Sequence, residues 1–267
     1  MKLGMTLLVR DEIDIIKYNI EYHRKKVDKI IVTDNGSVDG TYEYLKSVEN
    51  ENIIVFQEPE HNYLQDKWVT NMVFALKEMG VDWVVNSDAD EFWRGNIFNE
   101  VNALGKLGYD CVYVNSYAFK STHLDEHLQK APHLRHFWRD GFFEKWPKVI
   151  IATQHFLKIG KGNDEAFFDC QIKSKTTENL IIYHYCNRGF EHFCKKYIDG
   201  GKAIEESMKA GEKWNSLWSR PYAIYKTKGM NEFVNYWHEN YYYDDKALNK
   251  FDLVFDNAMK KEFENEK

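Results

Sequence analysis

The sequence predicts an α/β fold: a mostly parallel sheet with helices on its faces, followed by a C-terminal helical extension. From Met1 to Asp90, short apolar runs alternate strictly with stretches of helical period. The runs at 2–9, 28–33, 52–56 and 81–85 are apolar at their centres on consecutive positions and do not alternate with polar residues, as suits strands covered on both faces. The segments between them are long enough for crossover helices, which parallel strands require.

The first run holds Thr6 among apolar residues and leads to Asp11, which is placed to cap a helix carrying Ile13, Ile16 and Ile20 and running to about Arg24. After the second run comes Asp34-Asn35-Gly36-Ser37-Val38-Asp39-Gly40-Thr41, a loop of small residues and acceptors that enters a helix at Tyr42 and Leu45. Strand, Gly-containing loop and helix make a nucleotide-type half-unit. The loop lacks the GxxxxGK[ST] spacing of a phosphate cradle, so its aspartates suit a base or ribose better than phosphate. Residues 61–79 form a long helix with Trp68, Met72, Ala75, Leu76 and Met79 on its apolar side.

The fourth run stops at VVNSDADEFW, residues 84–93. Ligand sites of open α/β sheets lie beyond the carboxyl ends of the strands, so Asp88 and Asp90 arrive where a ligand sits. In extended backbone their alternate spacing points both side chains the same way. Two like charges so close repel unless a cation or shared proton relieves them. Mg²⁺ or Mn²⁺ with oxygen ligands does so and keeps positions for substrate phosphate. A DxD by itself is more often a solvated turn or a helix cap, and its place after a strand is what favours metal.

A net charge of −6 argues against general nucleic-acid binding. No apolar run reaches the roughly 20 residues that span a bilayer, and residues 1–12 read as a strand of a cytoplasmic protein, not a signal peptide. Cys111, Cys170, Cys186 and Cys194 lack CxxC spacing and read as buried reduced thiols. The aromatic residues of the second half read first as core.

In the second half, 95–107 reads as a helix and 109–117 as a strand. The stretch 118–139 reads as irregular and locally basic, with His123, His127, His133 and His136 as exposed loop histidines in no zinc pattern. Residues 148–151 read as a strand, followed by the Gly-flanked polar turn IGKGNDEAFF. The turn carries two carboxylates, Asp164 and Glu165, either of which can accept a proton; an Asn-Asp turn without chemistry is the equal alternative. A strand at 180–183 ends at His184, either a metal ligand or a core histidine satisfied by backbone. Arg188 has the planar fork that suits a diphosphate. The tail from 230 is amphipathic, with Leu248, Phe251, Leu253, Val254, Phe255 and Met259 at roughly helical spacing, which suits packing on its own domain first, then a dimer face or a membrane surface.

MTLLVRDEIDIIKYNIEYHRKKVDKIIVTDNGSVDGTYEYL and VVNSDADEFW together resemble the family 2-like glycosyltransferases of the GT-A fold, in particular a branch with an acidic helix start, a YH pair, DNGSxDGT and DxDE. The match is close over 1–93, with a looser one at IIYHYCNRGFEHFCKK. The resemblance implies a GT-A-like, Rossmann-like domain over 1–228, with a nucleotide-binding half at 1–93 and an acceptor half at 94–228, and a helical extension at 229–267. It implies a nucleotide-sugar donor, by preference a UDP sugar, with Mn²⁺ or Mg²⁺, and a glycan or lipid-linked acceptor of the kind found in surface polysaccharide or lipopolysaccharide synthesis at the inner membrane face. Asp34 and Asp39 would meet the nucleoside, Asp88, Asp90 and His184 the metal, and Arg188 the diphosphate, while Asp164, then Glu165, would be the carboxylate base that sugar transfer with inversion needs near the acceptor hydroxyl. Arg10 departs from the Asn or small residue usual there and bears on the nucleoside contacts. The alternatives are a nucleotidyltransferase using the same aspartates, disfavoured by the missing Gly in residues 10–14, and a non-catalytic nucleotide-binding module.

Overall fold

Leu3, Met5, Leu7 and Val9 are buried on one face of the first strand, and Gly4 and Thr6 turn to the other, where Leu76 and Val81 leave no room for a side chain at Gly4. This two-sided burial sets the architecture of the computed structural model, which describes residues 1–58, 64–125, 131–209, 219–245 and 251–265. Strand β1 (Leu3–Val9) pairs in parallel with β2 (Lys29–Asp34) on one side and β4 (Trp83–Asp88) on the other, and β2 pairs in parallel with β3 (Ile53–Gln57). Helices α1 (Ile16–His23), α2 (Thr41–Val48) and α3 (Gln65–Glu78) make the crossovers. The order β3-β2-β1-β4 has its switch point between β1 and β4, where open α/β sheets leave a crevice beyond the strand ends.

Beyond β4 the pairing is antiparallel. The short β5 (Glu91–Arg94) leads through α4 (Ile97–Lys106) to β6 (Cys111–Thr122), and β8 (Lys148–Ala152) inserts between β4 and β6. The hairpin β9 (Phe156–Ile159) and β10 (Ala166–Phe168) follows, then β11 (Ser174–His184), which pairs with β5. One face of the sheet buries Met5, Val32, Val85 and Trp93 with residues of α1, α2 and α4, and the other buries Ile31, Val84 and Ile151 against α3 and β9.

Among the described residues, 1–58, 64–117 and 143–184 form this first unit, and 118–142 with 185–265 form a second. In the second unit the end of β6 pairs with β7 (Trp138–Asp140) and β12 (Tyr242–Tyr243), and β7 pairs with β13 (Leu253–Phe255). Its helices are α5 (Phe190–Cys194), continued by a π-helical turn into α6 (Gly200–Lys209), then α7 (Ser219–Lys228), α8 (Met230–Asn240) and α9 (Ala258–Asn265). Phe193, Tyr197, Phe233 and Trp237 form its aromatic core. Among the described residues no helix is long and apolar enough to cross a membrane.

Several expectations change. Asp11 does not cap α1, whose first residue is Ile16; it adopts φ 54 and accepts a bond from the Val38 N–H instead. Residues 118–122 are strand, and Leu253–Phe255 is strand, not helix, because three apolar residues in a row fit either period and pairing with β7 decides. Leu248 and His127 lie outside the described residues. His133 and His136 are buried, the first stacked on Phe263 and the second 2.9 Å from Asp125. Of the four free cysteines only Cys111 is buried and Cys170 is exposed.

One buried network fixes the turn after β4 to α1. The Asn19 amide donates to the carbonyls of Ala89 (2.9 Å) and Glu91 (2.8 Å). His23 accepts from the Trp93 N–H at 3.1 Å through Nε2, which leaves Nδ1 as the protonated nitrogen facing the Asn19 carbonyl and side-chain oxygens. Trp93 in turn donates to the Ser87 hydroxyl, and Tyr22 to the Trp93 carbonyl. His23→Leu leaves the Trp93 N–H buried without an acceptor, so stability falls by about 1–3 kcal/mol. Urea unfolding checks this, and an unchanged midpoint would remove the network's structural role.

Candidate active site

β4 ends at Asp88 and β5 begins at Glu91, so Ala89 and Asp90 form a turn. Glu91 closes it: its Oε2 accepts the Asp88 N–H at 3.0 Å and lies 3.4 Å from the Ser87 hydroxyl. The two aspartates therefore leave in different directions, unlike the same-side arrangement that extended backbone would give. Asp88 Oδ2 meets Lys148 Nζ at 2.6 Å, and the same ammonium lies 3.1 Å from Glu91 Oε1 and donates to the Gly162 carbonyl at 2.7 Å. Burial pushes the Glu91 carboxyl up to about 7 against the pull of Lys148. For Lys148, burial works against the charge, but Asp88 and Glu91 outweigh it and hold the ammonium well above its usual range. The cation expected beside this carboxylate is thus in part a side chain.

The other oxygen of Asp88 accepts from the Asn163 amide at 3.1 Å. Asn163 reaches it from a turn in which Gly162 (φ 86) and Asn163 (φ 59) are both left-handed, a pairing glycine adopts freely and asparagine tolerates. The Gln65 side chain fastens that turn by accepting the Gly162 N–H. Asp164 and Glu165 follow directly, the first half-buried and the second exposed.

Asp90 faces the end of β11, where Nε2 of His184 lies 3.4 Å from its Oδ1. Behind the imidazole, Glu144 Oε2 lies 2.8 Å from Nδ1 and accepts the Ser116 hydroxyl at 2.7 Å. Burial pushes Glu144 up, but His184 and the Ser116 hydroxyl outweigh it and bring the carboxyl down to about 2. Glu144 accepts from Nδ1, so that nitrogen carries a proton, and Nε2 faces Asp90 with a second proton or, when a cation is bound, with its lone pair. Two such donors 3.4 Å apart need a proton or a cation between them, and that separation is within the span of two bonds of about 2.1 Å to one small divalent ion. A carboxylate holding the far nitrogen is the usual support of a metal-binding histidine.

At the ends of β1 and β2, Asp34 is fully buried and its Oδ2 accepts the N–H groups of Gly36 and Ser37, both at 3.1 Å. Its Oδ1 is buried without a hydrogen-bond partner. Asp39 is engaged by the protein: Oδ1 accepts from the Thr41 N–H and hydroxyl, and Oδ2 from the Ile13 N–H. Arg10 is partly exposed beside Asp11. In the second unit Arg188 is buried, donates to the Tyr185 carbonyl at 3.0 Å, and accepts through its own carbonyl from Arg135.

The glycosyl transferase family 2 model matches residues 11–165, which include α1, the Asp34 loop, the β4 turn and Asn163. The chain belongs to that family. It is a glycosyltransferase, and its fold is α/β. A comparison with curated protein sequences returned no match. Among solved structures the chain is similar to S. aureus TarS 1–349 (15% identity, 88% of this chain and 80% of that one, TM-score 0.46). It spans only 44% of the longer TarS chain, again at 15% identity, covering 90% of this chain with TM-score 0.42. It is also similar to glucosyl-3-phosphoglycerate synthase from Mycobacterium tuberculosis, solved with Mn²⁺, UDP and glucosyl-3-phosphoglycerate (14% identity, 78% and 79% covered, TM-score 0.38).

Sequence reasoning missed Lys148, Glu144, Asn163 and Asn19 of this family 2 site. Asn19 and Asn163 lie in stretches already singled out but were passed over for the acidic residues beside them, Lys148 and Glu144 lie in no motif, and each acts through a partner far along the chain. Lys148→Met strands Asp88 and the buried Glu91 without their cation, which costs about 3–5 kcal/mol. Chemical denaturation measures it, with Glu91→Gln added to Lys148→Met expected to restore part of the loss. A single variant as stable as wild type would show that Lys148 does not hold Glu91.

Proposed function

We propose that the chain transfers a sugar from a nucleoside diphosphate sugar, by preference a UDP sugar, to a hydroxyl of a glycan acceptor with inversion at the anomeric carbon. The observation that carries this reading is the Asp90–His184 pair, 3.4 Å apart at the sheet's ligand edge with Glu144 behind the imidazole. Asp90 and His184 would hold Mn²⁺ or Mg²⁺, which when bound neutralises charge on the diphosphate leaving group. Asp88 is then the hinge of the site, kept by Lys148 and Asn163, and stands beside the ligand, not among the metal's nearest donors.

The unpartnered buried Oδ1 of Asp34 supports a nucleoside contact, because a buried carboxylate oxygen gains most from an N–H or O–H donor, and a pyrimidine imide or a ribose supplies one. Asp39 contributes by tying residues 11–13 to the Asp34 loop. In the reaction the acceptor oxygen attacks the anomeric carbon, the bond from that carbon to the diphosphate oxygen breaks, and the acceptor proton passes to a carboxylate. Asp164 is our choice for that base. It follows the Asn163 turn that touches Asp88 and is more sheltered than Glu165.

Calorimetric titration with UDP and other nucleoside diphosphates, with and without Mn²⁺, tests the donor reading. One nucleotide should bind only with metal, and its affinity should fall at least about tenfold in Asp90→Asn, His184→Ala and Asp34→Ala. Binding that ignores metal and all three substitutions would overturn it. Once a donor and acceptor are in hand, Asp164→Asn should lower kcat by about 10²–10⁴-fold with nucleotide affinity retained. A wild-type kcat in that variant would pass the role to Glu165 or another group.

A further inference from the structure

The segment that supplies Glu144 and Lys148 to the site carries two exposed aromatic rings that the chemistry above leaves unused. Phe143 is 47% exposed and Trp146 60%, although Phe143 adjoins the anchored Glu144 and Trp146 lies two residues from both Glu144 and the anchored Lys148. Glu144 is anchored to Ser116 and His184 and Lys148 to Asp88 and Glu91, so the intervening residues have little freedom to leave the site. Consecutive Cα atoms are about 3.8 Å apart, which puts the Trp146 Cα within about 7.6 Å of those of both Glu144 and Lys148. Phe143 is braced by Tyr117, with ring centroids 4.8 Å apart and planes at 38°. The Lys145 ammonium lies 4.5 Å from the centre of the Trp146 ring.

We propose that Phe143 and Trp146 form an aromatic platform that binds a pyranose ring of the acceptor glycan beside the transfer site. This deepens the functional reading above and rests on it for the word acceptor. A pyranose presents C–H groups on its faces and hydroxyls at its rim. The negative face of an aromatic ring attracts the first, and a flanking ammonium donates to the second. Lys145 places a charge against the Trp146 ring, which suits a ligand of mixed character better than the interior of a bilayer. The fixed anchors on both sides hold the backbone that carries the rings, which lowers the ordering cost of binding.

Fluorescently labelled wild type, Trp146→Ala, Trp146→Phe and Phe143→Ala are applied to a microarray of bacterial and mammalian oligosaccharides with UDP and Mn²⁺. The same proteins are titrated with UDP alone on the calorimeter and with phosphatidylglycerol–phosphatidylethanolamine vesicles. Wild type should bind a defined set of glycans, Trp146→Ala should lose at least about tenfold of that binding, and Trp146→Phe should keep most of it. Thermal unfolding verifies that each variant is folded. The proposal is overturned if wild type binds no glycan, if Trp146→Ala matches wild type on the array, or if the substitution abolishes vesicle binding and leaves glycan binding alone. Failure of wild type to bind any nucleotide counts against the donor reading only, because a glycan signal lost in Trp146→Ala would still locate a sugar platform on this loop.

Discussion

A carboxylate with no solvent exposure cannot stand alone in a protein interior, and Glu91 is one. Lys148 makes its position tenable, and the arrangement reaches further than a single ion pair. The same ammonium holds Asp88 and the carbonyl of Gly162, so β4, β8 and the hairpin turn meet at one nitrogen. Glu91 in turn closes the backbone after β4 through the Asp88 N–H, which is what separates the directions of Asp88 and Asp90. Replacing this cluster by apolar residues of similar size would cost the fold little in principle, since buried ion pairs rarely add net stability. What it supplies is placement: the charges stand where a diphosphate and a metal would be received.

Two histidines in the first unit use the same physical device for different ends. In each, one ring nitrogen is committed to a protein partner, and that commitment determines what the other can do. His23 accepts from the Trp93 N–H and donates toward Asn19, so it is spent entirely on shape. His184 is held from behind by an ionised Glu144, so its Nε2 is presented to Asp90 with a proton or, when a cation is bound, with its lone pair. The YH pair in α1 and the YH pair at the end of β11 look alike in sequence and differ in what lies across from them.

The alternation of strands and helices was legible because strands of a parallel sheet are covered on both faces and show as unbroken apolar runs, while aspartates stand out where those runs end. Asp34, Asp88 and Asp90 were visible for that reason. Lys148 was not, because a lysine opening a strand has no local mark to separate it from a solvated one, and only the antiparallel pairing of β8 with β4 brings it to Glu91. An apolar run does not state whether its neighbour runs parallel or antiparallel. The direction of Asp90 was hidden for a related reason: the turn at Ala89 depends on two hydrogen bonds from Asn19, a residue on another element. Asp39 looked like a ligand residue, and its bonds from Thr41 and Ile13 show that it also holds its loop, a use the sequence does not separate from a ligand contact, since an acceptor in a Gly-rich loop serves backbone and substrate equally well. The apolar tail was ambiguous in period, and β7 resolved it.

Lys148 has one more consequence, in reactivity. Acylating and alkylating reagents must reach the amine as well as find it neutral, and the Lys148 nitrogen is enclosed between Asp88, Glu91 and the Gly162 carbonyl. In the native protein this lysine should stay unlabelled while exposed ones such as Lys202 and Lys226 react. It becomes a nucleophile only when β8 parts from β4. The residue that gathers the site is therefore also a built-in chemical clock for the opening of that sheet.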